Sequence, residues 1–239
     1  MYKFSEKGFK FALSDDGKPI EGFLGDQQNA KLLIILKEPN NKNQPDFWFY
    51  NVVNNLLGSK GEIVRSGKGL RFFRILGKLS CSILKEKYDD DDDIEAVLKK
   101  CVFINLYPFN GEKRVGKDSG YIQTCSFFYD LVNGKDLIDE IEESEKIYYD
   151  IAKNRTELLE NISKSNIKSI LTVPGVFAVL GHGKDVKPYL TIKYGKNKTR
   201  EFNCCELSDG TVVYEFWHPS YTGINYTYLD EALSERNDC

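Results

Sequence analysis

Three side chains stand where they can do chemistry together. A carboxylate, Glu38, lies in Lys37-Glu38-Pro39-Asn40; a carboxamide, Asn105, opens Asn105-Leu106-Tyr107-Pro108-Phe109; an imidazole, His218, opens His218-Pro219-Ser220. Each follows directly on a short apolar run, and a further run ends in the glycine turn Pro174-Gly175. A carboxylate can orient water or balance positive charge, a neutral imidazole donates a hydrogen bond, and a carboxamide presents donors and an acceptor together. Metal chemistry has no evident ligand set. The only two imidazoles are His182 and His218, and the six cysteines (81, 101, 125, 204, 205 and 239) include no C-x₂₋₄-C pair. His182, in Leu180-Gly181-His182-Gly183, reads as a solvent-facing turn residue.

The elements that must position these groups are readable from hydrophobic pattern. Lys31–Leu36, Cys101–Leu106, Ile167–Val173 and Thr211–Trp217 are short, β-branched or aromatic runs that stop at a proline or polar turn, and their near-continuous hydrophobicity predicts strands covered on both faces. Helical spacing appears in Gly69–Lys87, in the charged and broken stretch Asp136–Ser163, from Val176 to Leu180 and from Tyr226 to Leu233. The alternation predicts an α/β fold, a three-layer α/β/α sandwich with a central, mostly parallel four-stranded sheet. In such sheets ligands sit off the carboxyl ends of the strands, which would bring Glu38, Asn105, Gly175 and His218 to one rim.

The 239 residues contain no repeat and no linker, so one domain over residues 1–239 is expected. Hydrophobic residues at 41% suffice for a sizeable core, whereas the longest plainly aliphatic run, Leu32–Leu36, is far short of the roughly 20 residues a membrane span needs. The opening MYKFSEKGFKF has no apolar segment of the signal-peptide kind. Cysteine spacing reads as reduced thiols in a cytoplasmic protein, with Cys101 a small buried residue and Cys204 and Cys205 facing opposite sides of a strand.

Taken in order, Leu36-Lys37-Glu38-Pro39, Val102-Phe103-Ile104-Asn105 and Trp217-His218-Pro219-Ser220-Tyr221 resemble the uracil-DNA glycosylase superfamily. In that family one strand ends in a G-x-D-P or G-x-x-P-G loop, a second in asparagine and the last in H-P-S. The resemblance spans residues 31–225, and Leu158–Gly181 looks like the family's third βα unit. It implies a DNA glycosylase of the base-excision-repair type, hydrolysing the N-glycosidic bond of uracil or a related deaminated base that has been flipped out of the stack. On this reading His218 donates to the base O2 and Glu38 orients water or offsets charge on the sugar. Asn105 pairs with uracil N3–H and O4. Pro39 and the aromatic run Phe47-Trp48-Phe49 line and stack the base, Trp48 and Phe49 foremost, with the stacking ring left open. Ser220 contacts a flanking phosphate, followed on the DNA side by Tyr221 and Thr222. The implied partner is DNA containing the damaged base, bound by a monomer without metal or organic cofactor, in the cytoplasm or, in a eukaryote, the nucleus.

Departures keep an alternative open. Leu36 stands where the family has glycine, Glu38 is one methylene longer than aspartate, and Thr222 replaces an apolar wedge. The four cysteines of the iron–sulfur branch are missing. A catalytically weak or inactive member that binds nucleic acid or a protein partner fits these departures, as does hydrolysis of a free nucleoside. Each residue also has a blander role: Glu38 capping its turn or pairing with Lys37 or Lys42, Asn105 satisfying loop backbone, His218 a structural imidazole.

The balance of 33 Lys+Arg against 36 Asp+Glu, net −3, excludes a uniformly basic nucleic-acid coat. The distribution is uneven. Lys60, Arg65, Lys68, Arg71, Arg74 and Lys78 face only Glu62 along their stretch, and Lys184, Lys187, Lys193, Lys196, Lys198 and Arg200 face only Asp185. Lys113 and Arg114, with Lys117, form a smaller cluster after the Asn105 run and are further DNA-contact candidates. The run Asp89–Asp93 reads as a solvated loop.

Overall fold

Unbroken aliphatic runs fold as strands when both faces of a sheet are covered, and two such runs form the centre of this molecule. The computed structural model describes residues 3–4, 9–13, 17, 20–37, 68–108, 120–135, 137, 141–194, 198–217 and 226–239. A two-stranded antiparallel ribbon pairs β1 (Lys3–Phe4) with β2 (Ala12–Leu13). The main sheet contains β3 (Gly22–Phe23), β4 (Leu32–Leu36), β5 (Cys101–Asn105), β6 (Ser169–Thr172), β7 (Val186–Tyr194), β8 (Lys198–Glu206) and β9 (Val212–Glu215), in the order β3-β5-β4-β6-β9-β8-β7. Every residue of β4 and β5 is buried.

The four strands expected from the sequence are all present, and they form the parallel core β5-β4-β6-β9. The expected sheet of four strands is nevertheless too small: it has seven. Antiparallel β3 is added beside β5, and the β7–β8 hairpin beside β9. These strands escape a search for apolar runs because β3 is two residues long and β7 and β8 are half exposed, with Lys187, Lys193, Lys198 and Glu201 exposed.

The helices are α1 (Lys68–Leu84), α2 (Asp91–Leu98), α3 (Gly120–Val132), α4 (Lys146–Ser163), α5 (Pro174–Leu180) and α6 (Tyr226–Ser234). Helix α1 packs on α2 and α6, and α3 packs on α4 and α5. Among the described residues of the stretch Asp136–Ser163 the helix runs from Lys146 onward. The aspartate run is not the plain loop expected of it: Asp90 caps α2, its carboxylate accepting from the Asp92 and Asp93 amides, and Asp91, Asp92 and Asp93 form the first turn. Negative charge there complements the positive end of the helix dipole. Helix α3 was not expected, since Phe127-Phe128-Tyr129 carries strand-like propensity; its buried stripe is Tyr121, Thr124 and Phe128.

Two cysteines depart from the reduced-thiol expectation. Cys204 and Cys239 form a disulfide across a Cα–Cα distance of 5.9 Å. The tail is brought there by the Asn237 amide donating to the Tyr189 carbonyl and by Arg236 donating to the Ser82 carbonyl. Cys205 points the other way and packs beside Gly181 of α5. Cys81 and Cys101 are free and buried, and burial pushes both thiols up to about 12, so they stay protonated at neutral pH. Among the described residues no helix is long and apolar enough to cross a membrane.

The α1–α2 crossing depends on a missing side chain, because a Cβ on Gly77 would overlap Ile94 Cγ2. Gly77→Val is expected to lower unfolding free energy by about 1–3 kcal/mol in urea titration. Ile94→Ala combined with it should show a coupling of at least ~0.5 kcal/mol; strict additivity would contradict the contact.

Candidate functional site

The strand order defines where a crevice must open. From β4 the chain leads to β5 on one side, and from β6 it leads to β9 on the other, so the loops leaving these adjacent strands part in opposite directions. That divergence is a topological switch point, where open α/β sheets bind ligands. At the rim the ladders extend past the strands. Leu106 N–H donates to the Leu36 carbonyl at 2.8 Å, Tyr107 N–H to the Lys37 carbonyl at 3.0 Å, and Phe216 N–H to the Thr172 carbonyl at 2.7 Å. The Thr172 hydroxyl reaches across to the Ile35 carbonyl at 3.0 Å. Backbone groups at the switch point are thus tied to one another.

Asn105 is the one predicted site residue that the structure describes. It ends β5 opposite Leu36, is 7% exposed, and its carboxamide makes no hydrogen bond to any described residue. The blander expectation, a carboxamide spent on loop backbone, concerns a loop that beyond Pro108 lies outside the described residues. Glu38, Pro39, Trp48, Phe49, Lys113, Arg114, His218, Ser220, Tyr221 and Thr222 lie outside the described residues, as do Phe47 and Lys117. Their described neighbours Lys37 and Trp217 follow β4 and β9 closely. With strands about 4.8 Å apart, the end of β4 lies next to Asn105 and about 10 Å from the end of β9. Leu36 is the buried last residue of its strand, so the loop begins at Lys37.

Asn105 is held from behind by groups that the motifs did not point to. The Arg155 guanidinium meets the Glu21 carboxylate as a fork, at 2.7 and 3.0 Å, with side-chain exposures of 1% and 0%. Glu21 also accepts from the Ala12 amide at 2.8 Å and the Asn105 amide at 3.3 Å. Arg155 further donates to the Leu106 carbonyl at 3.4 Å and the Asn154 side-chain oxygen at 3.0 Å. One buried pair therefore fixes the backbone on both sides of the peptide that carries Asn105. A signal for it exists: Arg155 interrupts the apolar stripe Ile151, Ala152, Leu158, Ile162 of α4, and an arginine on that stripe needs a buried partner.

The β9 side has its own anchor. Glu215, 6% exposed, accepts from Arg200 at 3.1 Å and from the Asn203 amide and carboxamide at 3.3 and 3.1 Å. The Arg200 guanidinium also lies over the Phe202 and Trp217 rings, 5.2 and 5.3 Å from their centroids. Trp217, directly before His218, is boxed edge-on by Tyr194 and Phe202, each 4.9 Å away. Between the two anchors, the Lys37 ammonium lies 5.7 Å from the Tyr121 ring centroid, and the Tyr121 hydroxyl presses on Gly175 so closely that a Cβ there would overlap it. Gly175 is thus required by close approach.

Other expectations are reassigned. His182 is exposed, as expected, but its Nε2 lies 3.1 Å from the Tyr129 hydroxyl. It follows the last turn of α5, which runs back from the rim, so it is not a rim residue. The cations Arg74 and Lys78 pair with Asp91 and Asp230 at 2.6 Å. They line a cavity of about 380 Å³ with Tyr88, Asp89, Asp90 and Ile94, where their charge is neutralised internally. Among the described residues no group of three or more His, Cys, Asp or Glu is placed to hold a metal. No protein-family model, curated protein or solved structure matches the chain.

Arg155→Met would leave the Glu21 carboxylate buried without its counter-charge. The expected cost is about 3–5 kcal/mol, and Arg155→Lys should recover little of it because an ammonium cannot form the fork. Urea unfolding measures both; a loss under about 1 kcal/mol would show that the rim does not depend on the pair.

Proposed function

We propose that the protein is a DNA glycosylase of the uracil-DNA glycosylase type, hydrolysing the N-glycosidic bond of uracil or a related deaminated base. The observation that carries this reading is Asn105, a largely buried residue at the switch point whose carboxamide makes no hydrogen bond to any described residue. A strand-end carboxamide that makes no hydrogen bond to any described residue is available to a ligand, and a flipped base offering N–H and C=O groups on one edge matches its donors and acceptor. Further support comes from the order of motifs. Glu38 follows Lys37 beyond β4, and His218 follows Trp217 beyond β9, so both motif residues continue from strand ends on the same edge of the sheet as Asn105.

The reaction follows from those roles. The bond between sugar C1′ and the base nitrogen breaks with its electron pair leaving on the base, while C1′ acquires oxocarbenium character. Glu38 balances that charge and orients the water whose oxygen bonds to C1′. His218 donates to the departing base's O2, and the base takes up the proton that water releases. A donor preorganised toward the developing oxyanion contributes most of such a barrier reduction. DNA is the partner, and the cytoplasm or nucleus the compartment this chemistry serves; the Cys204–Cys239 disulfide, which reducing compartments disfavour, stands against that placement.

Oligonucleotides carrying a single uracil, single-stranded and duplex, provide the test. Incubation should leave an alkali-labile site at the uracil, and Asn105→Ala should lower kcat/KM on the order of 10- to 100-fold, the worth of one or two hydrogen bonds. No alkali-labile site on either form would rule the activity out.

A further inference from the structure

The register of the β8–β9 pair places part of the molecule beyond the rim. Cys204 faces Tyr214 and Glu206 faces Val212, so β8 runs antiparallel with its N-terminal end at the carboxyl end of β9. Glu215 ends β9, which leaves Lys198–Phe202 extending past it. At about 3.3 Å per residue this projects the β7–β8 ribbon roughly 16 Å past the strand end. The ribbon therefore rises on the β9 side of the crevice, beside the chain that leads from Trp217 into His218.

Its outer half is mainly cationic, with Glu201, across from Thr191, its one acid among the described residues. Residues 191–200 carry Lys193, Lys196, Lys198 and Arg200 and no acid. Arg200 is committed to Glu215 and the aromatic box, and Lys196 lies outside the described residues. Lys193 and Lys198 are exposed and form no ion pair among the described residues. This differs from Arg74, Lys78, Lys100 and Lys135, whose partners are in place at 2.5 to 3.0 Å. Protection of the β7 edge against pairing with other chains accounts for Pro188 and the irregular register beside it. It does not account for cations on β8, the inner strand of the ribbon. The ribbon is also stiff: eight residue pairs hold its two strands together, and Trp217 packs against it from Phe202 to Tyr194 at the outer end of β7.

A stiff cationic arm rising beside a base-reading crevice complements a phosphate backbone. We propose that the β7–β8 ribbon is a second nucleic-acid contact, with Lys193 and Lys198, one from each face of the ribbon, holding phosphates of the strand outside the nucleotide in the crevice. The choice of nucleic acid as the polyanion rests on the reading given under Proposed function; the ribbon's grip itself needs no uracil and no turnover.

Fluorescence anisotropy with a uracil-free single-stranded oligonucleotide, over a range of salt concentrations, tests the arm apart from the chemistry. Lys193→Glu combined with Lys198→Glu should weaken binding at least 10-fold at low salt. It should also reduce the slope of log affinity against log salt by about 1.4, two phosphate contacts on a single strand. Glu201→Gln, on the outward face across from Thr191, should tighten binding, which a generally damaged protein would not do. On uracil-containing DNA the double variant should raise KM and leave kcat unchanged. An unchanged affinity and salt slope would overturn the arm even if uracil is excised. Salt-dependent binding lost in the double variant, with no excision by the wild type, would uphold the arm and overturn the glycosylase reading. Equal competition by polyglutamate and oligonucleotide would overturn the assignment to nucleic acid.

Discussion

The Glu21–Arg155 pair is buried almost completely, and the carboxyl-end rim depends on it. Desolvating two charges is costly, and only full hydrogen bonding offsets that cost. Here the carboxylate takes both prongs of the guanidinium and two backbone amides, while the guanidinium also reaches Leu106 and Asn154. Asn154 in turn donates to the Lys10 carbonyl at 3.0 Å. One polar cluster thereby joins the N-terminal ribbon, β5 and α4. An apolar replacement could fill the same volume, but it would leave the Ala12 and Asn105 amides without an acceptor.

Asn105 consequently has a fixed backbone and a side chain uncommitted among the described residues, the combination a recognition group needs. On the far side Glu215 does comparable work: its carboxylate gathers Arg200 and Asn203, and its carbonyl accepts from the deeply buried Tyr189 hydroxyl at 2.9 Å. Trp217 is thus held by the rings and guanidinium of the ribbon before the chain enters H-P-S. Between these anchors, Tyr121 against Gly175 and Lys37 over Tyr121 close the floor of the switch point. Both sides of the switch point are tied down in the same way, by a buried glutamate whose carboxylate gathers several donors.

The parallel core was legible in the sequence because strands buried on both faces, such as Leu32–Leu36 and Cys101–Asn105, have to be apolar throughout. Strands with one wet face do not announce themselves this way, so β7 and β8 were hidden behind their lysines. The stretch Gly120–Val132 hid a helix behind aromatics because packing against α4 and α5, rather than propensity, decides its form. Asn105 was legible from its place at a strand end. Glu21 and Arg155 were not, since 134 residues separate two charges that only folding brings together. Charge counted along the chain does not show which cations are paired in space: Arg74 and Lys78 meet Asp91 and Asp230, whereas Lys193 and Lys198 meet no acid among the described residues.

The central claim is that the crevice between β4 and β6 receives a nucleobase and that Asn105 reads its edge. A crystal structure of the Glu38→Gln variant with a uracil-containing single strand tests it most directly. The account predicts uracil at the carboxyl ends of β4 and β5, with its N3 and O4 about 3 Å from the Asn105 carboxamide. Uracil bound elsewhere, or an Asn105 side chain turned to protein groups with the base out of reach, would contradict it.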